Sequence, residues 1–281
     1  MSPPYLIAQI TDLHLGPRMT SVANAARLRS VVERLVAIAP DLVLATGDLT
    51  DGGEPASYAE VKALLAPLQV PILFAVGNHD KRAGFLEAMD QTPASGGFLQ
   101  QDWRFGGRRI LVLDTVEEGQ HGGSYCETRL AWLRARLAED RITPTLIALH
   151  HPPARSGIGW MDRGADGPWS RRLDPALRGK RNVVGLVAGH LHRGVSMTFA
   201  GHPLIVAPPV APQVALDLSP IRPDQPDQRP LIVAEPPGFA LHLWSDHGLV
   251  SHFGAAGGEP VLARFDEQTR AMILDLTGET A

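Results

Sequence analysis

Five times between residues 5 and 192 an apolar run stops at a short cluster of Asp, Asn or His. Tyr5 to Ile10 runs into Thr11-Asp12-Leu13-His14, and Asp41 to Thr46 into Gly47-Asp48. Val70 to Val76 delivers Gly77-Asn78-His79-Asp80. Thr145 to Leu149 delivers His150-His151-Pro152-Pro153, and Val183 to Ala188 delivers Gly189-His190-Leu191-His192. Short apolar runs bounded by Gly and Pro read as buried strands, which puts each cluster on the loop at a strand's carboxyl end. Between the first three runs lie helical patterns. Leu28, Val31, Val32, Leu35 and Val36 form one face, ended before Pro40, and Val61, Leu64, Leu65 and Leu68 form another, opened by a Ser57/Glu60 capping-box pattern. Strand alternating with helix predicts parallel pairing and an α/β fold, with the strands' carboxyl ends sharing one crevice.

The remaining chain is less regular. Arg109 to Asp114 reads as a further strand, Thr128 to Glu139 as a helix with Leu130, Leu133 and Leu137 inward, and Arg155 to Ser170 as a loop rich in Gly, Arg and Trp. From Val195 the text changes to short β-like runs without a strong helix, predicting an antiparallel continuation of a second sheet. This divides the chain into a core over 1–200 and a β-rich part over 201–281. Within the latter, the proline-crowded segment 208–237 is either a disordered loop or a cover that orders against a partner subunit or the site.

Composition decides what the clusters can hold. Cys126 is the one cysteine in 281 residues, so no intramolecular disulfide and no thiolate cage can form. Any metal falls to oxygen and imidazole donors. Asp12, His14, Asp48, Asn78, His79, His150, His190 and His192 are such a set, suited to Zn, Mn, Fe(II) or Co. The net charge of −4 and pI near 6.2 give no reason to expect a nucleic-acid polymer or an anionic membrane, while leaving room for a small anionic substrate. The first ten residues lack a basic region and no stretch approaches a membrane span, so the expectation is a cytoplasmic protein.

Asp-x-His, Gly-Asp, Gly-Asn-His-Asp, His and Gly-His-x-His, in that order, resemble the calcineurin-like metallophosphoesterase superfamily. The wording around Asp12, Asp48, His150 and His190 looks like its class III cyclic-nucleotide phosphodiesterase and glycerophosphodiesterase branch. That resemblance implies a four-layer α-β-β-α sandwich. It further implies that Asp12, His14 and His192 hold one divalent ion, that Asn78, His150 and His190 hold a second, and that Asp48 bridges. His79 would remain free of metal and assist the leaving group, while a bridged pair of ions acidifies the attacking water. The implied activity is hydrolysis of small phosphodiesters; a phosphomonoesterase or nucleotide pyrophosphatase, and a non-catalytic metal-binding scaffold, are the alternatives. Relatives with a β-rich extension commonly dimerise, making the segment after Val195 the candidate interface.

Some residues carry weaker readings. His151 is a substrate contact or a support for the ligands, and Asp51, Asp80 and Asp114 hydrogen-bond turns or imidazoles. His121, His202, His242, His247 and His252 match no motif and read as surface or sheet histidines, with His121 on a glycine-rich loop able to approach the site. Arg155, Trp160, Arg163 and Trp169 read as an exposed loop rather than a pocket lining.

Overall fold

The computed structural model describes residues 3–17, 23–258 and 260–278; Met1 and Ser2 of the start read for a signal lie outside them. The elements are β1 (Tyr5–Ile10), α1 (Asn24–Ile38), β2 (Leu42–Thr46), α2 (Pro55–Leu65), β3 (Ile72–Ala75), α3 (Arg82–Ala88), β4 (Gln101–Phe105), β5 (Arg108–Leu113), α4 (Glu127–Glu139), β6 (Thr145–Leu149), α5 (Pro168–Leu177), β7 (Val183–Ala188), β8 (Val195–Phe199), β9 (His202–Val206), β10 (Gln213–Val214), β11 (Ile232–Val233), β12 (Gly238–Ser245), β13 (Gly248–Ala255) and α6 (Glu267–Thr277).

Two mixed sheets form the centre, one in the order β13-β12-β1-β2-β3 and the other β4-β5-β6-β7-β9-β8. β1, β2 and β3 are mutually parallel, as are β5, β6, β7 and β9, so the carboxyl ends that carry the clusters lie on corresponding edges. Strands buried on both faces explain the continuous apolar runs. One face of the first sheet packs against α1, α2 and α3 through Ala8, Ile10, Leu28, Val31, Leu35, Tyr58, Val61 and Phe85. One face of the second packs against α4 and α5 through Leu111, Ile147, Leu130, Leu133, Trp169 and Leu173. The inner faces meet through Ile7, Leu44, Leu73, Ile110, Val112, Leu146, Ala148, Val187 and Trp244. This is the four-layer α-β-β-α sandwich.

Several local expectations differ from what forms. α2 starts at Pro55 with Glu54 as N-cap, so Ser57 is a buried helix residue and no Ser57/Glu60 capping box exists. Pro at the first helical position, whose missing N–H costs nothing there, sets that start instead. Val36 is half exposed because one residue beyond Leu35 turns about 100° off the buried stripe of α1. α5 emerges from the stretch read as a loop; Gly167 and Pro168 define its start, while Pro175 inside it obscured the helical pattern. α6 is a helix where none was expected. Asp266 and Thr269 cap it reciprocally, and it has no buried face to leave an amphipathic signature.

The strands after Val195 divide between the two sheets. β8 and β9 extend the second sheet, whereas the β12–β13 hairpin closes the edge of the first beside β1. The division at residue 200 falls in the tight turn between β8 and β9, inside one sheet. In the proline-rich segment, β10 and β11 pair at the base while 218–228 stays exposed. No helix among the described residues is long and apolar enough to cross a membrane.

Candidate metal centre

Each motif lies just beyond its strand, Asp12, Asp48 and Asn78 from the first sheet and His150 and His190 from the second, so the cleft spans both. The backbone there is strained. Asp12, His14, Asp48, His190 and His192 have φ of 52°, 47°, 50°, 71° and 50°, a left-handed region that non-glycine residues occupy only when their surroundings impose it. Two motif glycines permit the crowding. A Cβ on Gly77 would stand 2.1 Å from the Asp48 amide nitrogen and Oδ1, and one on Gly189 1.9 Å from Thr11 Oγ1. Backbone donors fix the carboxylates: His190 N–H donates to Asp12 at 3.0 Å and His79 N–H to Asp48 Oδ1 at 2.8 Å.

The imidazoles share one arrangement. Nδ1 of His150 donates to the Thr46 carbonyl at 2.8 Å, Nδ1 of His192 to the Pro212 carbonyl at 2.8 Å, and Nδ1 of His14 faces Asp51 Oδ1 at 3.3 Å. With Nδ1 committed as donor, each Nε2 presents a lone pair to the cleft. His14 Nε2 and His192 Nε2 are 2.9 Å apart. His150 Nε2 lies 3.2 Å from Asn78 Oδ1 and 3.3 Å from Asp48 Oδ2, and His192 Nε2 lies 3.5 Å from Asp12 Oδ1. Acceptors this close repel unless a positive charge stands among them, so the donor set fits divalent cations.

The electrostatics agree. Burial pushes His150 down, but the Asp48 charge and hydrogen bond outweigh it and raise the ring to about 9. Burial likewise opposes His14, which Asp51, Asp48 and Asp12 raise. In return, although burial alone would raise it, Asp48 is held well below the usual carboxylate range by His150 and His14. Burial holds His151, His190 and His192 below the ordinary histidine value.

Around this centre, His79 Nδ1 lies 3.3 Å from the Asp51 carbonyl and 3.5 Å from its carboxylate, and the ring stands edge-on to His14 at 4.6 Å. His151 also reaches the cleft: Nδ1 is 2.9 Å from Thr115 Oγ1, and Nε2 is 3.1 Å from Asn78 Oδ1 and 3.2 Å from the His121 carbonyl. Asp80 is buried beneath, accepting from the Gly77, Thr50 and Leu49 amides, the Thr50 hydroxyl and the Tyr58 hydroxyl. Burial and the neighbouring Asp48 charge raise Asp80 to about 6.

Asp114 lies elsewhere, gripping Arg82 through both oxygens at 2.7 and 3.0 Å. Trp169 corrects the exposed-loop reading: it is buried in α5, donates Nε1 to the Gly164 carbonyl, and lines a narrow crevice with Gly123, His151 and His190. Arg163, though exposed, lines the same crevice, whereas Arg155 is exposed and Trp160 partly so. His121 stands at the cleft, its ring 4.7 Å from that of His190. His202 and His242 are buried sheet histidines, and His247 and His252 are exposed. Thr46, Thr115 and Pro212 belong to the site without belonging to any motif. The Thr46 and Pro212 contributions are backbone carbonyls, which leave no mark in a residue pattern.

The calcineurin-like phosphoesterase family profile matches residues 5–194, the span that supplies every cleft residue except Pro212. The chain belongs to the calcineurin-like phosphoesterase family. It is 35% identical over 216 residues to a probable cyclic nucleotide phosphodiesterase of Rhodococcus erythropolis, covering 73% of this chain and 70% of that one. A cAMP/cGMP dual specificity phosphodiesterase of Mycobacterium tuberculosis is 36% identical over 216 residues, covering 73% and 67%. A probable glycerophosphodiester phosphodiesterase of Arcobacter nitrofigilis is 30% identical over 266 residues, covering 90% and 93%. A solved dimetal phosphatase from Danio rerio shares the fold at a TM-score of 0.62 and 16% identity, over 90% of this chain and 99% of that one.

Proposed function

We propose that this metallophosphoesterase hydrolyses small phosphodiesters, cyclic nucleotides or glycerophosphodiesters, with two divalent ions (Mn, Fe, Zn or Co by donor type) held in the cleft. The observation that carries this reading is the 2.9 Å approach of two Nε2 atoms whose Nδ1 atoms are both committed elsewhere. Asp12, His14 and His192 would hold one ion and Asn78, His150 and His190 the other, with Asp48 between them. Such ions supply positive charge against the phosphoryl oxygens and acidify the attacking water.

The remaining chemistry falls to the chain. The Asp51 carbonyl accepts from His79 Nδ1, which holds the partly exposed ring and leaves Nε2 to pass a proton to the departing alkoxide. Asp80 locks the loops of Asp48 and Asn78 together through the Leu49, Thr50 and Gly77 amides. His151, tied to Thr115, braces Asn78. The preference for diesters over monoesters rests on the relatives' names, as does a small-molecule substrate. The dimer expected through the segment after Val195 is part of this proposal, supported by the exposed Leu216 and Leu218 there.

The test is turnover of cyclic AMP, a glycerophosphodiester, a chromogenic diester and the matching monoester on protein of measured metal content, before and after chelation. Diester turnover that chelation abolishes and Mn restores is expected. Two bound ions without turnover would instead make the chain a metal-binding scaffold, and faster monoester turnover would make it a monoesterase.

A further inference from the structure

The apolar layer between the sheets contains a buried amide, Gln9, three residues before Asp12. Gln9, fully buried, alternates with Ile7 along β1 and so shares the inner face of the first sheet. A polar group in such a layer is tolerated only when its hydrogen bonds are made. Those of Gln9 are made across the layer. Its Nε2 donates to Thr46 Oγ1 in β2 and to the Ala188 carbonyl in β7, both at 2.8 Å, while its Oε1 accepts from His242 Nε2 at 3.0 Å. With the Gln9 oxygen facing it, His242 Nε2 carries the proton, so Nδ1, 2.7 Å from Ser251 Oγ, accepts from that hydroxyl. The amide cannot flip, because its oxygen would then face the Ala188 carbonyl and its NH2 the His242 donor.

Both anchors adjoin ligands. Thr46 lies two residues before Asp48, and its carbonyl accepts from His150 Nδ1; Ala188 lies two residues before His190. The bond from Gln9 to Ala188 therefore ties the first sheet to the second at the strand ends that carry the donors. The ion held by Asp48 and Asn78 from one sheet and His150 and His190 from the other is divided evenly between them, so it is the more sensitive to their separation. We infer that Gln9, oriented by His242, is a positioning residue that sets the distance between the two sheets at the cleft and so the affinity for the Asn78-side ion. The inference rests on the metal reading above.

Calorimetric titration of Mn2+ into the chelator-stripped full chain tests it, with urea unfolding measured in parallel. Gln9→Met keeps the length of the side chain but cannot donate to Ala188; Gln9→Leu removes every bond and shortens the side chain; His242→Phe leaves Gln9 in place without its orienting donor; His242→Gln restores a donor. The expected result is weaker binding of one of two ions, about 10-fold or more for both Gln9 variants, which is the usual scale for residues that orient ligands. A smaller loss is expected for His242→Phe, and near-native binding for His242→Gln. Variants that lose stability yet bind both ions as the native chain does would overturn the inference. Should Gln9→Leu fail to fold, His242→Phe carries the same test. A native chain that binds fewer than two ions would overturn the metal reading itself, and the inference with it.

Discussion

His242 makes stability depend on pH in a way that can be isolated. Burial pushes this ring down to about 4, from an ordinary value near 6.5, because a charge cannot be solvated between the sheets. The unfolded chain thus takes up a proton that the folded chain refuses, and stability falls as pH drops below about 6.5 until the folded ring titrates. The limiting slope is about 1.4 kcal/mol per pH unit, and the two values together give a loss of about 2 kcal/mol between pH 7.5 and pH 5. His242→Gln keeps a donor for Gln9 and removes the titration. Urea unfolding of both proteins in chelator across that range subtracts the contribution of every other histidine. Native stability should fall by about 2 kcal/mol more than that of the variant. Parallel curves would refute the assigned state of His242 and its enclosure between the sheets.

Three further outcomes follow from the site. His79→Ala should bind metal normally and lose about 10²–10⁴ in kcat, measured on a chromogenic diester, since the ring positions a proton rather than an ion. Alanine at His150 should remove bound metal, counted by elemental analysis, whereas alanine at His151 should leave the count intact; the reverse would exchange their roles. Asp80→Ala orphans the Gly77, Leu49 and Thr50 amides along with two hydroxyls, and should cost about 3 kcal/mol in urea unfolding.

The pattern of apolar runs foretold the parallel strands because residues buried on both faces must be apolar throughout, a requirement that acts locally. The clusters announced the cleft for a related reason, since polar residues at the end of a buried strand need a purpose. What stayed hidden is non-local or has no side-chain signature. Nothing about Phe239 to Trp244 states whether it pairs beside β1 or extends the other sheet, because antiparallel partners are chosen by the edge that remains open. Gln9 stands three residues before Asp12 with no motif of its own, and His242 reads as a sheet histidine; only their meeting across 233 positions gives either a role. The α6 helix lacks a periodic face because none of its residues is buried and so none is required to be apolar.

The same facts change what the final third of the chain is for. A core ending at residue 200 would retain all seven proposed ligands and would look catalytically complete. It would lose the Pro212 carbonyl that fixes His192, the Val210 and Ala211 amides that donate to the Thr11 and Asp12 carbonyls, and β12, which pairs with β1 from Tyr5 to Gln9. It would also lose His242, leaving the Gln9 oxygen buried without a donor. Arg27 binds the Val210, Ala211 and Glu235 carbonyls together, so both arms of the proline-rich segment are fastened to α1 while its tip projects outward. Removal of 201–281 should therefore yield a chain with neither a cooperative urea transition nor two bound ions. Deletion of the tip alone, over 217–229 with a short Gly-Ser bridge, should preserve both. A truncated 1–200 chain that folds cooperatively and binds two ions would show that β12 and Pro212 are accessories, against the geometry that makes them parts of the first sheet and of the cleft.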